Sequence, residues 1–344
     1  MATPPLLTLL GRATCERRHV IEAGLETKWR IAEWRPGDEP EQLSAVMAEA
    51  IAVVPGGDAL MTEGVLGSFA RAPNLKFLQL PFTGYEWLDL AQLPKGLQVA
   101  NAYGHEVAIA EFVMGAMLQW EKDFCSLDRT LRAGNWKYRA VGVNDFTQGE
   151  LAGKTLGIVG YGTIARELAR RASAFDMPVI AVSKSERATP ELLEWYGTME
   201  RLPDLLDSSD YVVLTCALND ETRGLIGARE FNAMGPETTI INVARAGIVD
   251  EDALFEALKT KAIRGGLLDV WYTYPSGNPP NPESGGPAPS VHDFASLDNV
   301  LMSPHCSANT EGSDVRRYLG IAQNLNLVAD GEPPATLIGE GTKV

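Results

Sequence analysis

Cysteine is scarce in this chain and never closely paired: Cys15, Cys125, Cys216 and Cys306 are its four among 344 residues, and no CxxC spacing occurs. That argues against both a disulfide framework and a thiolate metal site, and it fits a reducing compartment. No metal is expected. Positive charge is also short, with 30 Lys and Arg against 45 Asp and Glu and a net charge of -15. Nucleic acid and anionic membrane surfaces are therefore poor partners, and a small anionic substrate would need a local cationic pocket. Nowhere do about 18 apolar residues follow one another, the length a membrane-spanning helix needs. The opening MATPPLLTLLGRATCERRH puts its few apolar residues before its basic ones, the wrong order for a secretory signal. The expectation is a soluble, cytoplasmic protein.

What is present is apolar residue in short runs: 45% of the chain is hydrophobic and 22% charged, enough for a large core and too long for one typical domain. Up to about Tyr103 the runs LLTLL, WRIAEW, IAVVP, LKFLQL and LQVANA alternate with helix-like or Gly/Pro-rich stretches, the rhythm of a parallel sheet covered by helices. Val107 to Lys122 is apolar on most sides, as expected of a helix buried between two packed bodies. TLGIVG, PVIAVS, YVVLTC, TTIINVA, GGLLDV and NVLMSPH then form a second, doubly wound series. Helical stretches are expected at 163–174 and 251–260 within it and at 310–329 after it, the last free to return to the first domain. A polar tail ends the chain. Ser276 to Ser290 is too rich in Pro and Gly for regular structure and predicts a long loop.

Within TLGIVGYGTIARELARRA a buried strand runs into Gly160, Gly162 and Ala165 and then into a helix, the G-x-G-x-x-A form of a dinucleotide fingerprint. Gly160 would make the tight turn, Gly162 would let backbone approach a pyrophosphate, and Ala165 would let helix and strand pack closely. Amides near Thr163 and Ile164 would hold the pyrophosphate, with Tyr161 in the same turn. Where an NAD-selective strand ends in a carboxylate, this one ends in Ser183, Lys184 and Ser185, with Arg187 beyond and no carboxylate before Glu186. Those groups suit a 2′-phosphate, so NADP(H) is favoured and NAD(H) remains possible.

These residues carry a family resemblance. From about Leu75 to Asn326 the chain resembles the D-isomer-specific 2-hydroxyacid dehydrogenases, which include glyoxylate and hydroxypyruvate reductases, phosphoglycerate dehydrogenase, formate dehydrogenase and phosphite dehydrogenase. PFTGYEWLDL, NAYGHEVAIAEFVMG, LAGKTLGIVGYGTIA, INVARAGIVDEDALFEALKT, GGLLDVW and NVLMSPHCSANT stand in the family's order. The resemblance implies that Arg245 clamps the substrate carboxylate and polarises its 2-oxo group through a planar fork of donors. It implies that His305 is the general acid in reduction and the base in reverse. Val243 and Ala244 precede the arginine along the cofactor, and Ser307 follows the histidine. Cys216, Ala217 and Leu218 would lie along a ribose; a catalytic thiol at Cys216 or Cys306 would need an electropositive setting. Asp269 resembles an aspartate near the nicotinamide carboxamide, and its burial calls for a ligand or a network. Phe82, Thr83 and Gly84 would offer amides to the substrate carboxylate, Tyr85 and Trp87 could shape the pocket, and His105 would line the cleft.

One position departs from the family. Counting on from Asp269, the glutamate that usually orients and charges the histidine is replaced by Tyr274, unless Glu283 or Asp293 supplies that group. A phenol orients a ring but brings no charge at neutral pH, so His305 should keep a lower pKa than in glutamate-bearing relatives.

The implied architecture is a flavodoxin-like substrate-binding domain, 1–103 plus 307–344, and a Rossmann dinucleotide-binding domain, 104–306, with a cleft between them. The partner is a small 2-oxo or 2-hydroxy acid, and a homodimer is the usual assembly. Two other readings stay open: a dinucleotide-sensing binding protein without turnover, and a formate- or phosphite-type dehydrogenase.

Overall fold

Apolar runs of four to six residues rich in Leu, Val and Ile are too short for helices and too continuous for a half-solvated sheet; they suit strands buried on both faces. The computed structural model describes residues 3–85, 87–136, 147–275 and 286–343. Its strands are β1 (Leu6–Leu10), β2 (Arg30–Trp34), β3 (Ala50–Pro55), β4 (Phe77–Gln79), β5 (Gln98–Ala100), β6 (Leu156–Val159), β7 (Val179–Ser183), β8 (Trp195–Thr198), β9 (Tyr211–Leu214), β10 (Thr239–Asn242), β11 (Gly265–Leu268), β12 (Val300–Met302) and β13 (Leu337–Glu340). They belong to two compact units, one drawn from residues 3–105 and 310–343, the other from 106–274 and 286–309.

The first unit holds a sheet in the order β13-β5-β4-β3-β1-β2. The inner 2-1-3-4-5 arrangement is flavodoxin-like and parallel. The tail expected to be merely polar instead supplies β13, which pairs antiparallel with β5. A strand of four residues containing a glycine at a sheet edge leaves almost no hydrophobic signature. Helix Glu311–Ala329 packs on helix Arg18–Gly24, burying Ile21, Tyr318, Ile321, Ala322 and Leu325. Each such large apolar side chain contributes about 1.5–3 kcal/mol. A Cβ on Gly24 would sit 2.8 Å from that of Ala322, so this crossing needs the glycine.

The second unit is a seven-stranded parallel sheet, β12-β11-β10-β9-β6-β7-β8, which is the Rossmann order 3-2-1-4-5-6 with one further strand. β8 (WYGT) was not among the expected strands; it lies at an edge, is only half-buried and carries Gly197. Leu156 and Ile158 face a layer formed with helices Glu106–Lys122 and Thr163–Ser173. Val159 faces the layer formed with Leu205, Phe231 and Leu254 on the opposite side. Because every strand is parallel, the loops after β6, β7, β9, β10, β11 and β12 all leave from the same, carboxyl edge.

The unit boundaries fall a few residues beyond 103/104 and 306/307. The amides of Cys306 and Ser307 bond to Asp269, which holds them in the second unit, whereas Thr310 caps the helix that belongs to the first. Of the long loop, 276–285, including Glu283, lies outside the described residues. Its far end is tied down by Thr273 N–H to the Pro289 carbonyl (2.9 Å) and Ser290 Oγ to Glu251 (2.5 Å).

Candidate active site

The turn after β6 is shaped for close backbone approach. Gly160 has φ +96°, and a Cβ there would lie 2.6 Å from the amide nitrogen of Cys216, so the β6 and β9 loops meet at a position only glycine can occupy. Thr215 Oγ1 donates to the Gly160 carbonyl at 2.6 Å and locks that meeting. A Cβ on Gly162, by contrast, would face open space. Helix 163–173 begins at once with its first amides at Thr163 and Ile164, and fully buried Ala165 packs against β6. A bare glycine turn opening onto a helix start has the form and polarity a dinucleotide pyrophosphate requires.

Tyr161 is buried, its ring centroid 6.0 Å from that of Tyr196, so its side chain belongs to the core and only its backbone to the turn. Tyr196 donates its hydroxyl to the Ser185 carbonyl at 2.5 Å and carries the Arg187 guanidinium 5.3 Å from its ring centroid. Lys184 reaches across to Glu221, on the loop after β9, with Nζ 2.7 and 2.9 Å from the carboxylate oxygens. Reading the 183–187 segment alone leaves that carboxylate out.

The loops at the ends of β10, β11 and β12 carry the expected Val243, Ala244, Arg245, Asp269, Tyr274, His305 and Ser307. Asn242 closes the β10 loop from both sides, its Nδ2 donating to the Arg245 carbonyl (3.0 Å) and its Oδ1 accepting from the Ala244 amide (3.1 Å). Arg245 follows in extended conformation, Nη1 donating to the Ala244 carbonyl at 2.9 Å. Asp269, 1% exposed, accepts from Ser303 Oγ (2.6 Å) and from the amides of Cys306 (2.9 Å) and Ser307 (3.0 Å). The carboxylate makes the network expected of it, folding the β12 loop around His305. That histidine is held at φ +57°, a left-handed backbone rare for a side chain of its size.

Tyr274 Oη accepts the Trp271 amide at 3.1 Å and stands 3.0 Å from His305 Nδ1. Of the two carboxylate alternatives, Asp293 instead begins a short turn at 294–296. The phenol hydrogen is free to point at Nδ1 of a neutral imidazole; once the ring is protonated, Nδ1–H donates back to the phenol oxygen. Either way Nε2 is left for a substrate. Burial lowers the His305 pKa and the Arg245 charge lowers it further, against an opposing pull from Asp269. Burial raises that of Tyr274, with the Trp271 amide and Arg245 working the other way. The thiols do not look reactive: burial pushes Cys216 up to about 11 and also raises Cys306.

Phe82, Thr83, Gly84 and His105 lie in the first unit. Asn101 Nδ2 donates to the Thr83 carbonyl (2.9 Å), Thr83 Oγ1 donates to that of Ala102 (2.7 Å), and buried His105 lies 3.4 Å from the same hydroxyl. Phe82 and Trp87 pack with centroids 5.9 Å apart. Sequence reasoning missed Glu221, Asn242, Trp271 and Ser303. Only Asn242 carried a local signal, an amide side chain at a strand end where it bonds to the following loop.

Residues 114–307 match the family model described as D-isomer specific 2-hydroxyacid dehydrogenase, NAD binding domain. The chain is 30% identical over 308 residues to a glyoxylate reductase of Thermococcus gammatolerans, covering 88% of each chain. It is 31% identical over 332 residues to that of Thermococcus litoralis, covering 94% of this chain and 95% of the relative. A D-isomer specific 2-hydroxyacid dehydrogenase family protein from Aeromonas salmonicida superposes with TM-score 0.79 at 22% identity over 98% of this chain and 99% of that one. An NADPH-dependent glyoxylate/hydroxypyruvate reductase from Sinorhizobium meliloti, solved with NADP and sulfate, gives 0.74 at 23% identity, covering 97% and 98%. At those identities the structural likeness speaks for the fold.

Proposed function

The chain belongs to the D-isomer specific 2-hydroxyacid dehydrogenase family, and on that premise we propose that it reduces a small 2-oxo acid to the D-2-hydroxy acid with NADPH preferred to NADH. The coarser statement is plain: it is an oxidoreductase moving a hydride between a nicotinamide dinucleotide and a small hydroxy acid. What supports the finer reading is geometric: Tyr274 stands 3.0 Å from His305 Nδ1 on a loop that Asp269 folds through Ser303, Cys306 and Ser307, and the segment after β7 carries Ser183, Lys184 and Arg187 in place of a carboxylate.

Gly160, Gly162 and the amides at Thr163 and Ile164 would hold the pyrophosphate, and Ser183, Lys184, Ser185 and Arg187 the 2′-phosphate. When bound, the dinucleotide supplies the hydride for C2. Arg245 holds the substrate carboxylate and draws electron density toward the 2-oxo oxygen. As the carbonyl electron pair moves onto that oxygen, imidazolium His305 gives it the Nε2 proton; oxidation takes the same proton back. Phe82, Thr83, Gly84 and His105 keep the substrate-side roles that the family resemblance gives them. A cytosolic homodimer is part of the proposal, the assembly from the family resemblance and the compartment from four free cysteines, which fit a reducing setting.

The purified chain should oxidise NADPH in the presence of at least one of glyoxylate, hydroxypyruvate, pyruvate or a bulkier 2-oxo acid, and do so less efficiently with NADH. Dinucleotide binding without turnover across that panel replaces the enzyme by a nucleotide-sensing binding protein.

Tyr274 has its own signature. Reduction needs the imidazolium, so a lowered His305 pKa confines efficient reduction to lower pH. A carboxylate at position 274 would stabilise the imidazolium, and Tyr274→Glu should carry the falling limb of kcat/KM for reduction upward by about 1 pH unit or more. Superimposable limbs in the two proteins would show that residue 274 does not govern the proton donor.

A further inference from the structure

We propose that Glu221 is a specificity-determining residue that weakens the preference for a 2′-phosphorylated dinucleotide by competing for Lys184. The inference rests on the reading of 183–187 as the 2′-phosphate loop. In the Rossmann order the nucleotide crevice opens where β6 separates β7 from β9, and the loops after β7 and β9 form its two walls at the adenosine end. Lys184 stands on one wall and Glu221 on the other, and their ion pair joins the walls. Both side chains are open to solvent, 75% and 65% exposed, so a ligand can reach either.

Glu221 cannot simply swing away with its loop. Asn219 Oδ1 accepts the amides of Glu221 (2.9 Å) and Thr222 (3.0 Å), and Thr222 Oγ1 donates to the Ala217 carbonyl (2.7 Å). A phosphate arriving at Lys184 must therefore displace a carboxylate whose backbone stays in place. The ammonium then has two anionic suitors on adjacent walls, and each repels the other. A ribose with a free 2′-hydroxyl needs no such exchange and leaves the ion pair intact. Arg187, stacked on Tyr196, has no carboxylate competitor among its described contacts and would keep its hold on the phosphate. Lys184 thus shares the phosphate selectivity with Arg187, and Glu221 limits the lysine's part.

Calorimetric titration with 2′,5′-ADP and with 5′-AMP, which differ only in the 2′-phosphate, tests this without turnover. NADPH and NADH titrations repeat the comparison on whole cofactors. Glu221→Gln should raise the 2′,5′-ADP to 5′-AMP affinity ratio by about three- to fivefold at low salt, less at high salt, as an exposed ion pair allows. Lys184→Met should lower that ratio, and adding Glu221→Gln to it should then raise the ratio less than it does in the parent, because only the carboxylate–phosphate repulsion is left to relieve. An unchanged or reduced ratio in Glu221→Gln, with Lys184→Met still lowering it, overturns the role of Glu221 alone. A ratio that ignores Lys184→Met but falls in Arg187→Met overturns the roles of Lys184 and Glu221, and one that ignores both removes the phosphate-loop reading beneath them. Thermal melts of each variant show whether a change in binding reflects folding.

Discussion

His305→Gln should lower kcat/KM for 2-oxo acid reduction by about 10²- to 10⁴-fold, the usual contribution of a positioned general acid. Glutamine can still donate a hydrogen bond from its amide, so substrate orientation survives in part, but it has no proton to release at working pH. The loss should sit mainly in kcat, and the pH limb assigned to the imidazolium should vanish with it. Dinucleotide affinity, measured in parallel, should hardly move, because the glycine turn and the 183–187 loop are built from other strands. Activity within tenfold of the parent, with the limb retained, would transfer the proton donor to another group. The left-handed backbone at His305 adds a control. Glutamine enters that conformation less readily than histidine does, so a thermal melt of the variant alongside the parent checks that the loss is not one of loop shape.

Glu121→Ala is expected to cost about 3–5 kcal/mol of unfolding free energy, the range for breaking a buried ion pair from one side. Glu121 lies in the last turn of helix Glu106–Lys122, where the helix dipole disfavours a carboxylate, and its side chain is only 1% exposed. It is tolerated there because Arg264 donates from Nη1 at 2.6 Å and Nη2 at 3.2 Å, Tyr211 donates its hydroxyl, and Lys154 stands 3.7 Å away. Removing the carboxylate leaves the buried Tyr211 hydroxyl without its acceptor and the partly exposed Arg264 guanidinium without its counter-charge.

The pH dependence follows with a definite sign. Burial pushes the Glu121 carboxyl up, but the hydrogen bonds from Arg264 and Tyr211 and the charges of Arg264 and Lys154 outweigh it and hold the group below the usual carboxylate range. Its contribution is therefore full above the ordinary glutamate value of about 4.3 and drains away as pH falls through the lower, folded-state value. Denaturant titrations at a series of acidic pH values should show that slope in the parent and a shallower one in Glu121→Gln. Equal slopes would mean that other carboxylates dominate the acid transition.

How much of this was legible in the sequence depends on how local each feature is. Strands of the second unit could be read because a buried parallel strand is a continuous apolar run, and Gly160 to Ala165 because strand, turn and helix follow one another directly. β8 and β13 escaped because short edge strands with a glycine bury little and need little apolar sequence. Tyr274 could be placed beside His305 by counting from Asp269, and the hydrogen bond at 3.0 Å is there. Glu221 could not be placed beside Lys184, 37 residues away, because only the sheet order makes neighbours of the β7 and β9 loops. Asp269 was recognisable as a buried charge, yet which groups satisfied it depended on how β11 and β12 align.

The antiparallel edge strand and the helix before it belong to the unit begun by the first hundred residues. Asn324 sharpens the point, since its side chain bonds Gln79 at 2.7 Å, Thr336 at 2.8 Å and the amide of Ala335 at 2.9 Å. As the ribosome releases this polypeptide, helix Glu311–Ala329 and β13 emerge only after the whole intervening Rossmann unit, so until then the first unit's sheet lacks its antiparallel edge and the side-chain bonds of Asn324.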